Sequence, residues 1–438
     1  MSTHYTLRRS SGPRQERRAF LVQTGGAILC GLSAHVSVPQ SLDPARAQSG
    51  APSDERAHGG AGGLRLFLCG DVMAGRGIDQ VMSHPGDPRL YEDYVKSAAV
   101  YVEIAERANG PIPRGVAPQY VWGDALAVLE RARPDVRIVN LETAVTTADD
   151  PWPGKGINYR MHPANVAFLT AAGIDCCVLA NNHVLDWGYD GLRETLGSLR
   201  AIRVRTAGAG NDETESEAPA VIDLPERGRL LVFAFGSPSS GVPRRWAAQG
   251  RRPGIAVLDE SAPDSVARIA RRVAAVRRPG DIVIASLHWG GNWGYAVSEA
   301  QRTTARRLID AAQVDVVHGH SSHHPRPVEV YRDKLILYGC GDFLNDYEGI
   351  GGYEGYRPEL AFMYMPELDP ASGRLQRLLL VPMRIRGFRV NRASREEAEW
   401  LMQTMNREGQ AFGTRFEPTA EGEIDLRWGA AAAIARLE

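Results

Sequence analysis

The chain has 438 residues, with 51 Lys plus Arg against 52 Asp plus Glu, 43% apolar residues and 5 cysteines. That composition describes a folded globular chain and excludes a collagen, a coiled coil and a disulfide scaffold. A formal net charge of −1 supplies no global basic field, so no nucleic-acid partner is expected, and the length allows one large domain or two ordinary ones.

At the amino terminus, Arg17-Arg18 stands directly before a mildly apolar run that reaches Val38. Gln23, Gly25, Gly26, Gly31 and His35 interrupt the run, leaving it too short and too polar for a membrane span, which needs about 20 strongly apolar residues. Ala45-Arg46-Ala47 then places small residues at the spacing a signal peptidase reads. Residues 1–47 therefore resemble a twin-arginine export signal, and the expected location is periplasmic or extracellular. Cys30 belongs to this leader, since Leu29 stands where a lipid-attachment site wants a small residue. Cleavage after Ala47 removes six arginines and two acids and moves the net charge from −1 to −5. Cys69, Cys176, Cys177 and Cys340 remain, each in or beside an apolar stretch. A route that carries folded proteins out of a reducing cytosol predicts buried free thiols there. Residues 48–62, rich in Ser, Gly and Ala, read as a flexible linker.

From residue 63 to 438 the pattern is that of one domain. Buried strands are predicted at Leu64–Cys69, Val136–Leu141, Asp175–Leu179, Leu230–Phe235, Ile282–Leu287 and Val314–Val317. Between them, Trp122–Ala132, Ala164–Ala172, Tyr189–Ala201, Ser265–Val276 and Ser298–Ala312 have the apolar spacing of helices. Further strands are expected at Val328–Tyr331, Leu335–Tyr338, Leu360–Met365 and Leu375–Ile385, then a helix over Arg395–Thr404. Strand–helix alternation followed by a run of strands predicts an α/β domain built on two sheets.

Metal-capable side chains gather where these strands end. Asp71 follows the first strand, Glu142 the second, Asn182 and His183 the third; His288 follows another, and His318, His320, His323 and His324 follow the next. The carboxyl ends of strands are where ligand crevices form in open α/β sheets. Carboxylate, amide and neutral imidazole are the donors that Zn, Mn, Fe or Mg accept, and the mixture suits two divalent cations sharing a bridge. The Ser321-Ser322 turn is expected to bring His320 and His323 to one cation, with His318 either behind them or beside them and His324 pointing elsewhere. His84 and His162, in loops without a partner pattern, read as surface residues.

The motifs Gly70-Asp71-Val72-Met73, Asn140-Leu141-Glu142, Asn181-Asn182-His183-Val184-Leu185-Asp186, His288-Trp289-Gly290, Gly319-His320-Ser321-Ser322-His323 and Tyr338-Gly339-Cys340-Gly341-Asp342 agree in order and context. Together they resemble the CapA family of poly-γ-glutamate capsule synthesis proteins, itself similar to calcineurin-like metallophosphoesterases. The resemblance implies a four-layer α/β/β/α sandwich with a two-metal site held by Asp71, Glu142, Asn182, His288, His320 and His323. It departs from the broad phosphoesterase pattern at Met73, where an imidazole is usual, and in the Gly-His-x-x-His spacing. His183 is the expected acid, with Asp186 either orienting its second nitrogen or capping a helix. Arg76, Lys155 and Arg160 are candidate binders of an anionic substrate, a phosphoester or a polyglutamate. Two functions compete: an exported metal-dependent hydrolase, and a capsule assembly factor that binds the polymer or the membrane subunits of its synthase without turnover. No Gly-x-x-x-x-Gly-Lys-Ser/Thr loop occurs, which gives a synthetase reading no support.

Overall fold

Apolar runs bounded by turns become strands of two sheets in the computed structural model, which describes residues 62–429 apart from Pro263. The export signal and, except for Gly62, the linker lie outside the described residues. The strands of the two sheets are β1 Leu64–Val72, β2 Val136–Leu141, β3 Cys176–Val178, β4 Arg205–Ala207, β5 Ala220–Leu224, β6 Gly228–Gly236, β7 Ile282–His288 and β8 Val316–His320. They continue with β9 Val328–Tyr331, β10 Lys334–Leu337, β11 Asp342–Leu344, β12 Leu360–Leu368, β13 Leu375–Ile385, β14 Val390–Arg392, β15 Thr414–Pro418 and β16 Ile424–Trp428. The first sheet runs β15-β16-β13-β12-β1-β2-β3-β4, with β11 paired to β1 and β14 to β13; the second runs β9-β10-β8-β7-β6-β5.

Each sheet has a parallel run of strands: β1 through β4, ending at an edge, in the first, and β6, β7, β8 and β10 in the second. Parallel strands need long crossovers, most often helical, and the longer helices are α1 Ala99–Asn109, α2 Ala125–Ala132, α3 Gly188–Ala201, α4 Ser265–Val276, α5 Glu299–Ala312 and α6 Arg395–Gly409. The period-two alternation of β7 shows how the second sheet is filled. Val283, Ala285 and Leu287 pack with Ile269 and Val273 of α4 and Leu308 of α5, whereas Ile282 and Ile284 share a core with Leu66, Leu68 and Val316. The two sheets thus share one apolar core, and the fold is mixed α/β.

Most expected elements recur within a residue or two. The stretch expected as a helix over Ala164–Ala172 is a 3-10 turn at Pro163–Val166 followed by Ala167–Ala171, because Pro163 and the His162 cap favour the tighter turn. The helix expected from Trp122 begins at Ala125, after Gly123 takes φ +46°. The described cysteines are buried and free. Among the described residues no helix is long and apolar enough to cross a membrane. One compact unit takes in Gly63–Gly349 and the described chain from Tyr353 onward.

Candidate metal centre

Asp71 lies at the end of β1, where the register with β2 and with β11 slips by a bulge on either side of it. Such a bulge re-aims a side chain, and it turns the Asp71 carboxylate into the crevice above both sheets' strand ends. Its oxygens are then fixed from two directions. Asn140 Nδ2 donates to Oδ1 at 2.7 Å, and the Ser321 backbone N–H donates to Oδ2 at 3.1 Å. Asn140 is steadied by Asn181, whose Nδ2 donates to its Oδ1 at 3.0 Å, so three adjacent strands of the first sheet set one carboxylate.

The second sheet supplies the imidazoles. His288 and His320 are register partners at the ends of β7 and β8, with ring centroids 5.1 Å apart and their Nδ1 atoms 2.9 Å apart. Those Nδ1 atoms lie 4.0 and 3.7 Å from Asp71 Oδ1. Ser286 Oγ lies 2.9 Å from His320 Nε2 and 3.1 Å from His318 Nδ1, and His318 Nε2 is 2.8 Å from the Cys69 carbonyl. His318 therefore has both nitrogens engaged within the protein and supports His320 through Ser286. His323 Nδ1 is 2.8 Å from Asp342 Oδ1, and Asn345 Nδ2 donates to Asp342 Oδ2 at 2.8 Å.

Among the described residues two groups of donors capable of holding a metal ion result: Asp71 with His288 and His320, and Asp71 with His323 and Asp342, the donor atoms of each lying within 4.8 Å of one another. All five residues are buried and Asp71 belongs to both groups. Burial, then the neighbouring Asp342 carboxylate, push the Asp71 carboxyl up to about 7. Burial, then Asp71, push Glu142 up as well, and burial drives His288 and His320 down, which keeps them neutral and fit to ligate. Buried carboxylates beside neutral imidazoles are a donor set that fits divalent cations.

Glu142 and Asn182 stand on the far side of His288. Glu142 Oε1 is 3.8 Å from His288 Nε2 and 3.7 Å from His183 Nε2, while its Oε2 is buried with no hydrogen-bond partner among the described residues. Asn182 Oδ1 is 3.0 Å from His288 Nε2. His183 Nδ1 lies 2.6 Å from Asp186 Oδ2, which also accepts from the Tyr159 N–H at 2.7 Å. Asp186 does not cap the next helix: α3 starts at Gly188 with no side-chain cap. Burial and then the Lys155 ammonium lower the His183 imidazole to about 4, against the opposing pull of Asp186.

Three expectations need correction. His320 and His323 do not meet at one cation: Ser321 adopts φ +96°, which sends the two rings to different groups. Arg76 is not an open anion binder. It is 3% exposed, paired with Asp346 at 2.5 Å and Glu92 at 2.9 Å, and stacked on Tyr101. Arg160 likewise donates to the carbonyls of Ala148 and Asp87 and lies over Trp187, stapling loops together. Lys155 does reach the site, but its Nζ donates to Asp186 Oδ1 and the Asn182 carbonyl. Sequence reasoning missed Asp342 as a donor, although it lies in a quoted motif at the start of β11.

Comparison with known proteins places these residues in a family. Residues 65–347 match the family model described as "Bacterial capsule synthesis protein PGA_cap". A Mycobacterium tuberculosis protein described as "Probable polyglutamine synthesis accessory protein" is 48% identical over 353 residues, covering 80% of this chain and 93% of that protein. The "PGA biosynthesis protein CapA" of Bacillus subtilis is 26% identical over 285 residues, covering 65% of this chain and 63% of that protein. The "Capsule biosynthesis protein CapA" of Bacillus anthracis is 23% identical over the same length, with 60% of its own chain covered. With the match running from β1 through the loop after β11 and so taking in every donor of both groups, the chain belongs to the PGA_cap family of bacterial capsule synthesis proteins.

Proposed function

We propose that this protein is an exported accessory factor of polyglutamate capsule synthesis that carries a metal-dependent hydrolase site. The names of the relatives support the association with polyglutamate, and the twin-arginine pattern at Arg17-Arg18 supports export. One observation carries the hydrolytic reading: a buried carboxylate, Asp71, is common to two donor groups, and a His–Asp pair stands beside them. Asp71, His288 and His320 would hold one cation, and Asp71, His323 and Asp342 a second, with Glu142 and Asn182 flanking His288. Bound cations would supply Lewis acidity and lower the pKa of water, the chemistry that cleavage of a phosphoester or an amide requires.

The chain's own residues do the rest. Asp186 accepts the Nδ1 proton of His183 and fixes the ring, leaving Nε2 to take up a proton and hand it to the leaving group. Lys155, bound to Asp186 and to the Asn182 carbonyl, locks the Asn181–Asp186 loop in place. Asn140 and Ser321 hold Asp71 so that it need not reorganise. The substrate is an anionic polymer or phosphoester, and the membrane subunits of the polymer's synthase are the partners.

Metal analysis combined with phosphodiester and poly-γ-glutamate cleavage assays tests this reading. Asp71→Ala is expected to lose metal and turnover together. His183→Ala is expected to keep its metal and lose about 100- to 10,000-fold in turnover. Capsule production supported equally by wild type and by a metal-free Asp71→Ala protein, with no cleavage by either, would leave only a polymer-binding role.

A further inference from the structure

A second polar cluster lies one loop behind the histidines, and neither donor group uses it. Arg326 is 4% exposed, and no carboxylate among the described residues forms an ion pair with it. Its Nη2 donates to the Ala296 carbonyl, while Nε is buried without a partner among the described residues. Gln301 is also 4% exposed. Its Oε1 accepts from the Ser298 N–H in the capping box that starts α5, which fixes the amide's orientation and leaves Nε2 buried and unpartnered. Gln301 Nε2 and the Nη1 end of the Arg326 guanidinium lie together beside Gly290, which has φ +78°: a Cβ added there would lie 2.6 Å from Nε2 and 3.1 Å from Nη1.

A guanidinium stays protonated in any protein setting, and a buried charge without a partner is costly. The neighbouring imidazole of His324, turned by its Nδ1 towards the Pro325 carbonyl, offers no negative charge. Donors face donors here, so what satisfies them must be an acceptor, and the net positive charge selects an anion. The near-complete enclosure of both side chains excludes a polymer carboxylate and restricts the ligand to a small ion. We propose that Arg326 and Gln301, beneath the Gly290 turn, form a binding site for a small monovalent anion of the chloride class. The turn is tied to the metal centre, since Ser321 Oγ donates to the Gly290 carbonyl and Trp289 N–H to the His320 carbonyl, so occupancy stiffens the segments that carry His288 and His320.

Thermal unfolding at fixed ionic strength, with sodium gluconate exchanged stepwise for sodium chloride, tests the site without reference to catalysis. The wild-type protein is expected to show a saturable rise in Tm of roughly 1–3 °C, which Arg326→Met abolishes. Gln301→Glu keeps the capping box and sets a carboxylate oxygen where Nε2 stands. It should melt above wild type in gluconate and respond to chloride no longer. Bromide soaked into crystals should give an anomalous peak beside Arg326. A wild-type protein indifferent to chloride, or a Gln301→Glu variant with the wild-type chloride response, overturns the proposal and leaves ordered water as the partner of these donors.

Discussion

On the proposed two-cation reading, Asp342 would decide how many cations the centre holds. It faces Asp71 across the β1–β11 pairing and reaches His323 at 2.8 Å, while Asp71 is shared with His288 and His320. Asp342→Asn keeps the shape and removes the charge, so metal content measured by mass spectrometry is expected to fall from about two ions per chain to about one, whereas Asp71→Asn loses both. Unchanged stoichiometry in Asp342→Asn would remove the second group from the reading. The residues legible in the sequence were those that end long apolar strands: Asp71, His288 and His320. Asp342 was hidden because Tyr338-Gly339-Cys340-Gly341 separates it from β10 and because β11 has only three residues. Arg76 was misread for a different reason. Its acid partners, Glu92 and Asp346, lie 16 and 270 positions away, and no local pattern announces a pairing over that distance.

At the level of elements, the crossing of β1 with the segment leading into β11 is the tightest constraint on the centre. A Cβ at Gly70 would lie 1.6 Å from the Gly341 carbonyl oxygen, and the next residue's N–H, that of Asp71, donates to the same oxygen at 3.0 Å. Gly70→Ala must push the two backbones apart and carry Asp71 with them. Urea denaturation is expected to show a loss of about 3 kcal/mol or more, accompanied by loss of bound metal. Ser298→Ala, which removes the α5 cap, should cost about 1 kcal/mol and leave metal content intact. Equal metal retention in the two variants would argue that the crossing does not place Asp71. Several of the elements missed by sequence reasoning carry little apolar signal. Helix α1 buries only Tyr101, Val102 and Ala105, and the β15–β16 hairpin alternates charged with apolar residues over five positions per strand. Strands such as β7, buried at every position, were read to within one residue.

For the whole molecule, the burial of Asp71 and Glu142 at the junction of two sheets is expected to make stability depend on pH, and, with the proposed cations bound, on metal as well. Asp71 is pushed up to about 7 and Glu142 is pushed up as well, so the metal-free folded state binds protons more tightly than the unfolded chain, whose carboxyls titrate near about 4. Stability from this source is fully present below the unfolded value and is lost as pH rises through the folded value, the reverse of an ordinary salt-bridged aspartate. The proposed cations would compete with those protons, binding the deprotonated carboxylates and restoring as the pH rises what the metal-free protein loses. EDTA-treated protein should therefore melt progressively lower between about pH 5 and about pH 8, and the gap to the metal-loaded protein should widen over the same window. Asp71→Asn, with no proton to lose at that position, should flatten the fall in the metal-free protein. A metal-free Tm that holds level or climbs across this range, or a gap that stays constant, would mean that these carboxylates are not the cost that bound cations offset.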